Sequence, residues 1–183
     1  GITGSVIVAK AKSAVSATAS SAPDVVIGLS NQVAGDFTVK ENIAAGFQDD
    51  GTAILRLPAG CVWVATPDVK VTEGDLKITN IQRGDSDRNV TFTIDAESSS
   101  PSTISVTNAK IKIDRTVAEG DITVKVQGSA VAETGGAWSA TGNTRAYSDW
   151  ANSDTAAKCV IAKVTTPAGE VGSTAVFSFG STT

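Results

Sequence analysis

The segment NVTFTID, Asn89 to Asp95, decides how the rest of the chain is read. Val90, Phe92 and Ile94 fall on one side of an extended strand, and Thr91 and Thr93 on the other. That period of two is what a sheet with one buried face requires. Working outward, DLKITNI puts Leu76 and Ile78 on one face, with Asn80 as a further candidate, and Lys77 and Thr79 on the other. STISVTN, AKIKIDR and DITVKVQ repeat the alternation with β-branched residues, which suit a pleated, half-buried surface. The apolar runs DVVIGL and CVWVA read as strands nearer the centre. No sustained helical period occurs between Asp24 and Gln127, and turn residues return about every 8 to 12 positions. The expected fold is all-β: a two-sheet antiparallel sandwich with jelly-roll or Ig/cohesin-like topology. Its expected core draws on Val26, Leu29, Phe37, Ile54, Leu57, Val62, Val64, Ile78, Phe92, Ile94, Ile104, Ile111, Ile113, Ile122, Val124, Ile161 and Phe177.

The turns have a habit of their own. Gly-Asp recurs in VAGDFTVK, TEGDLKIT and AEGDITVK, so Gly35, Gly74 and Gly120 are expected to adopt a glycine-specific φ ahead of each strand. Asp36, Asp75 and Asp121 are then placed to accept bonds from local amides. The same pair appears in Arg83-Gly84-Asp85, a tripeptide known as an adhesion signal, here at a hairpin tip between two alternating runs. The chain's own Gly-Asp habit makes it a turn first. Asp85 and Asp87 are carboxylates of the kind calcium uses, but DSD lacks the full loop pattern of a dedicated site. Asn89-Val90-Thr91 is a glycosylation sequon.

Composition removes whole classes of chemistry. The 183 residues contain no histidine, which takes away Ser-His-Asp and Cys-His catalysis and His-ligated metals. A net charge of -4 leaves no surplus of cations to neutralise nucleic-acid phosphates. No apolar run approaches the roughly 20 residues of a membrane span. The chain begins at Gly1, as a processed mature form or an excised fragment would. Scattered carboxylates form no recognisable catalytic motif, and the expectation is a protein that is not an enzyme. The two cysteines, Cys61 and Cys159, are too few for a four-thiolate site. They are expected to form one disulfide; at 98 residues apart it would contribute on the order of 4 to 5 kcal/mol.

Two segments break the alternation. Residues 1–22 read as an N-terminal strand and arm: GSVIVAK is strand-like, with Ile2, Val6 and Val8 on one face and Ser5 and Ile7 opposite, and an Ala/Ser-rich stretch follows. Residues 23–183 read as the sandwich, interrupted by a long loop insertion over 133–158 that carries Trp138, Tyr147 and Trp150. Loops of that length are commonly functional. These aromatics are candidates for a polysaccharide-binding face or for a packing interface.

From about Val33 to Val131, the words LRLPAGCVWVATPDVKVTEGDLKI and ISVTNAKIKIDRTVAEGDITVKVQGSAV, with CVIAKVTTPA further on, resemble a surface module of secreted Firmicutes proteins. That module is labelled "copper amine oxidase N-terminal-like" and is associated with S-layer proteins. The resemblance implies cell-surface stalk or scaffold material with a cohesin-like or Ig-like sandwich. Its copper chemistry does not carry over, because there is no histidine and Tyr147 stands in RAYSD without a cofactor-forming context. The expected function is an extracellular, cell-surface structural protein with no cofactor. It self-assembles into a filament by exchange of the N-terminal strand bearing Ile2, Val6, Ile7 and Val8. Its partners are copies of itself or other cell-envelope proteins. The alternative is a carbohydrate-binding or cohesin-like adhesion module holding polysaccharide on the Trp138/Tyr147/Trp150 loop.

Overall fold

The computed structural model describes residues 14–131 and 157–165, all of them strand, turn or loop. A four-stranded sheet has the order β1 (Val15–Ala19), β4 (Phe37–Glu41), β10 (Thr103–Thr107), β7 (Asp68–Glu73). A three-stranded sheet runs β3 (Gln32–Val33), β11 (Lys110–Ile113), β6 (Cys61–Trp63). The six-stranded sheet is ordered β2 (Asp24–Val26), β13 (Ala157–Thr165), β12 (Gly120–Gln127), β5 (Thr52–Arg56), β9 (Asn89–Ala96), β8 (Lys77–Gly84). Among the described residues every strand pairing is antiparallel except β2 with β13.

The two smaller sheets are halves of one bent sheet. β3 runs on into β4, β6 into β7 and β10 into β11, so the same three chain segments supply both ladders. Backbone bonds continue through the bend, from Ala34 N to Ala109 O (2.9 Å) and from Val64 N to Lys110 O (2.8 Å). A polar clasp crosses it: Asn108, at φ 57°, donates its backbone N–H to Asp36 Oδ1 (3.2 Å) and its side-chain amide to Asp68 Oδ2 (2.6 Å). The expected two-layer sandwich is therefore the architecture, with one layer folded in the middle.

A single core lies between the layers, and Phe47 meets Phe92 edge-on at 6.2 Å within it. Alternation placed Phe37, Ile54, Leu57, Phe92, Ile94, Ile104, Ile111, Ile113, Ile122, Val124 and Ile161 correctly, and all are buried. In CVWVA the parity is the reverse of the expectation: Cys61 and Trp63 are buried, while Val62 and Val64 are half-buried. In DVVIGL it is Val25 that is buried and Val26 half-buried; Leu29 is 53% exposed, because Gly28 at φ 78° turns the chain outward. Ile78 is half-buried. Phe177 lies outside the described residues.

The Gly-Asp turns divide. Gly74 (φ 84°) and Gly120 (φ 133°) have the expected positive φ, and a Cβ on Gly74 would collide with Ser102. Gly35 does not have it. It is glycine because a Cβ there would run into the Ser21 carbonyl, where the chain passes tightly enough for Gly35 N to reach Ile161 O at 2.7 Å. Ile161 is the bulged residue of β13, skipped between the Ile122–Ala162 and Thr123–Val160 pairs. Its released carbonyl thus ties one layer to the other. Two of the aspartates bond far along the chain: Asp36 accepts from Asn108, and Asp75 accepts from the N–H and hydroxyl of Ser99. The Ser99 hydroxyl is the main reason the Asp75 carboxyl is held below its usual range.

Candidate functional site

A strand at a sheet margin presents unpaired backbone groups that another chain can use, and proteins normally defend such margins. Among the described residues, five of the six sheet margins are short or defended. β2, β3 and β6 have only three, two and three residues. β7 carries Asp68, Lys70 and Glu73, with a register shift at Thr103/Ile104 of its neighbour. β8 is broken by a bulge at Asn80–Ile81, with Asn80 at φ 52°, and bears Lys77 and Arg83.

β1 differs. Its sequence, VSATA, has no charge and no proline, and it runs in unbroken register from Val15↔Glu41 to Ala19↔Phe37. Bonds flanking the ladder, Ser20 N to Asp36 O (2.8 Å) and Asn42 N to Ala14 O (2.7 Å), fix its phase. By antiparallel alternation the backbone groups of Val15, Ala17 and Ala19 point away from β4. The side chains of the same residues turn inward: Val15 is 2% exposed, and Ala17 and Ala19 pack on the core. β1 lies inside the stretch read as an arm, and residues 15–19 are an integral strand of the sandwich. The strand-like residues before it, Ile2, Val6, Ile7 and Val8, lie outside the described residues, as do Trp138, Tyr147 and Trp150.

On β4, which is paired on both sides by β1 and β10, Glu41 is fully buried at an inward position. Its Oε1 accepts from Phe47 N (2.9 Å) and its Oε2 from Ser102 N (2.8 Å). The carboxylate is thereby a staple between the 42–47 and 98–102 loops. Nothing in the sequence beyond its place in the FTVKE alternation announced it.

The Arg83-Gly84-Asp85 turn is internally committed. Arg83 donates to the carbonyls of Trp63 (3.0 Å) and Val64 (3.2 Å) and pairs with Asp87 at 3.2 Å. Asp85 pairs with Arg56 at 3.5 Å. The two carboxylates considered for calcium therefore face different arginines, and among the described residues no group of three or more acidic, Cys or His side chains is placed to hold a metal. Asn89 of the sequon is 3% exposed within β9, where a folded chain offers no room for a glycan.

The expected Cys61–Cys159 bridge is absent: both are free thiols. Cys61 stands opposite Ile113 in the bent sheet and Cys159 opposite Val124 in the six-stranded one, so each is fixed by its own ladder. Burial raises both thiols to about 11, with the Arg88 charge partly countering it at Cys61.

Among the described residues no helix is long and apolar enough to cross a membrane. No protein-family model matches the sequence, and no curated protein does. Among solved structures the chain is similar to BcpA, the major pilin subunit of Bacillus cereus. The identity is 12% and the TM-score 0.33, over 76% of this chain and 37% of that one. The present chain thus spans well under half of the pilin's length, and a TM-score this low does not establish a common fold.

Proposed function

We propose that this chain is a non-enzymatic structural subunit of an extracellular or cell-surface assembly, joined to further copies by strand addition. The observation that carries this reading is the β1 margin: five residues long, uncharged, unbulged, with the outward backbone groups of Val15, Ala17 and Ala19. The donor is the N-terminal segment containing Ile2, Val6, Ile7 and Val8. Main-chain bonds from such a strand supply affinity, and its alternate apolar side chains supply register. The donor precedes the acceptor in the same chain, so the contact is head-to-tail, and a contact of that kind that does not close makes an open fibre.

Size-exclusion chromatography and negative-stain microscopy of the full chain, beside a form lacking residues 1–13, test this. The full chain is expected to form polymers, and the trimmed form to stay folded and monomeric. A full chain that stays monomeric at high concentration, with trimming only lowering its stability, would place the segment in its own sandwich and end the proposal.

A further inference from the structure

Large apolar side chains exposed to water are few among the described residues, and Leu29, Val33 and Ile43 lie at two opposite ends of the bent sheet. At one end, Val33 (64% exposed) faces outward from β3, with Leu29 (53%) just before it. Register carries this surface across the strands: Lys110 stands beside Val33, and Lys112 beside Val62. Because Ile111, Ile113, Cys61 and Trp63 point into the core, these residues point out. Arg115 follows on the same segment, and its side chain lies against Gly28, next to Leu29. Asp114, between the cations, is bonded locally and accepts from Thr116 N at 2.9 Å.

The other end is the complement of the first. β4 runs into the 42–50 loop, while β10 and β11 run the opposite way toward Ile113. Ile43 is 47% exposed in that loop. Ala45 N bonds Ser98 O (3.2 Å) and Asp50 N bonds Ile94 O (3.1 Å), so the loop shares one surface with the turn after β9. That surface presents Asp49, Asp50, Asp95 and Glu97, all exposed, with Lys77, opposite Ala96, as a neighbouring cation. Among the described residues no ion pair engages Lys110, Lys112 or Arg115, nor any of these four acids.

We propose that the cationic end of one copy seats on the acidic end of the next, with the exposed apolar side chains at the centre and the charges around them. This rests on the head-to-tail assembly proposed above and assigns the surfaces that meet. Charge complementarity selects a second copy as the partner. The arm selects it again: Asn42 N bonds Ala14 O (2.7 Å), so residues 1–13 start from the acidic end, beside Ile43. Residues 9–13, between the donor strand and Ala14, span at most about 18 Å. The acceptor β1 must therefore stand close to the acidic end of the donor copy. Val33 precedes Phe37, the partner of Ala19, by at most about 13 Å along the chain. A copy seated by its Val33 surface thus brings its own β1 within reach of the arm. Opposite ends in contact do not close on themselves, and the product is a fibre.

The test is charge reversal in the full chain, with polymer formation followed by light scattering and negative-stain microscopy. One variant carries Lys110→Glu with Lys112→Glu, the other Asp49→Lys with Glu97→Lys. Each alone is expected to raise the concentration at which polymers appear by about tenfold or more, since like charges then meet at every contact. An equimolar mixture of the two is expected to polymerise again, because each variant's altered end now complements the other's. The wild-type threshold should rise with salt. Lys40→Glu with Lys70→Glu, exposed cations on the outer face of the four-stranded sheet, should change it by less than about twofold. All of these side chains are exposed, and unchanged thermal unfolding would show intact folds. Either end variant polymerising as readily as the wild type, or a mixture of the two that stays unassembled, would overturn this contact and leave strand addition standing. A wild-type chain that forms no polymer would end both readings.

Discussion

Glu41 shows what a single residue decides here. An inward carboxylate in a strand otherwise built from Phe37 and Val39 is tolerated because both of its oxygens are used by backbone amides. Glu41→Ala would leave two buried N–H groups without acceptors, and each such group costs about 1–3 kcal/mol. Urea unfolding is therefore expected to show a loss of about 2–6 kcal/mol, a large part of the roughly 5–15 kcal/mol that holds a domain together. The cysteines make a second prediction. Their thiols are raised from 9.0 to about 11 in the folded state, so the folded protein holds these protons more tightly than the unfolded chain does. Their contribution to stability is complete below about pH 9 and declines between about pH 9 and 11, where the unfolded chain ionises first. Thiol titration without reductant should find two thiols in the denatured protein, reacting slowly while it is folded. A count of zero would restore the bridge.

The elements were legible wherever polar and apolar residues truly alternate. NVTFTID, AKIKIDR and DITVKVQ each gave the buried face correctly, because a strand has only two faces and Thr or Lys marks the outer one. CVWVA gave the wrong face, since in an unbroken apolar run nothing marks parity; the register Cys61↔Ile113 settles it. The bend was not read, because it depends on three distant segments breaking at one level, and its local signs (Gly35-Asp36, Pro67, Asn108) look like ordinary turns. The β1 strand was hidden in an Ala/Ser-rich stretch, where small side chains weaken the alternation. The clasp across the bend is open to test. Asn108→Ala loses the bond to Asp68 and puts a Cβ-bearing residue without a side-chain amide at φ 57°, with an expected cost of about 1–3 kcal/mol. Asn108→Gly loses the same bond but relieves the backbone, so it should be the milder change despite deleting more atoms. If glycine proves the more harmful in thermal or urea unfolding, the left-handed backbone is not what asparagine is there to support.

For the whole molecule, strand order was beyond sequence reading. β10 enters between β4 and β7 from more than sixty positions along the chain from β4, and β2 closes on β13 across a still longer separation. Among the described residues that order leaves β1 with β4 as its one ladder partner, while β13 of the other layer runs close beside it. The central claim is that copies join along this margin, and amide hydrogen exchange compared between the monomer and the assembled state tests it most directly. Val15, Ala17 and Ala19 should exchange freely in the monomer and slow by about a hundredfold or more on assembly, as amides do when they gain a stable partner strand, while exposed amides of β8 stay fast. Polymers in which those three amides exchange as they do in the monomer, or in which β8 gains the protection instead, would contradict the claim.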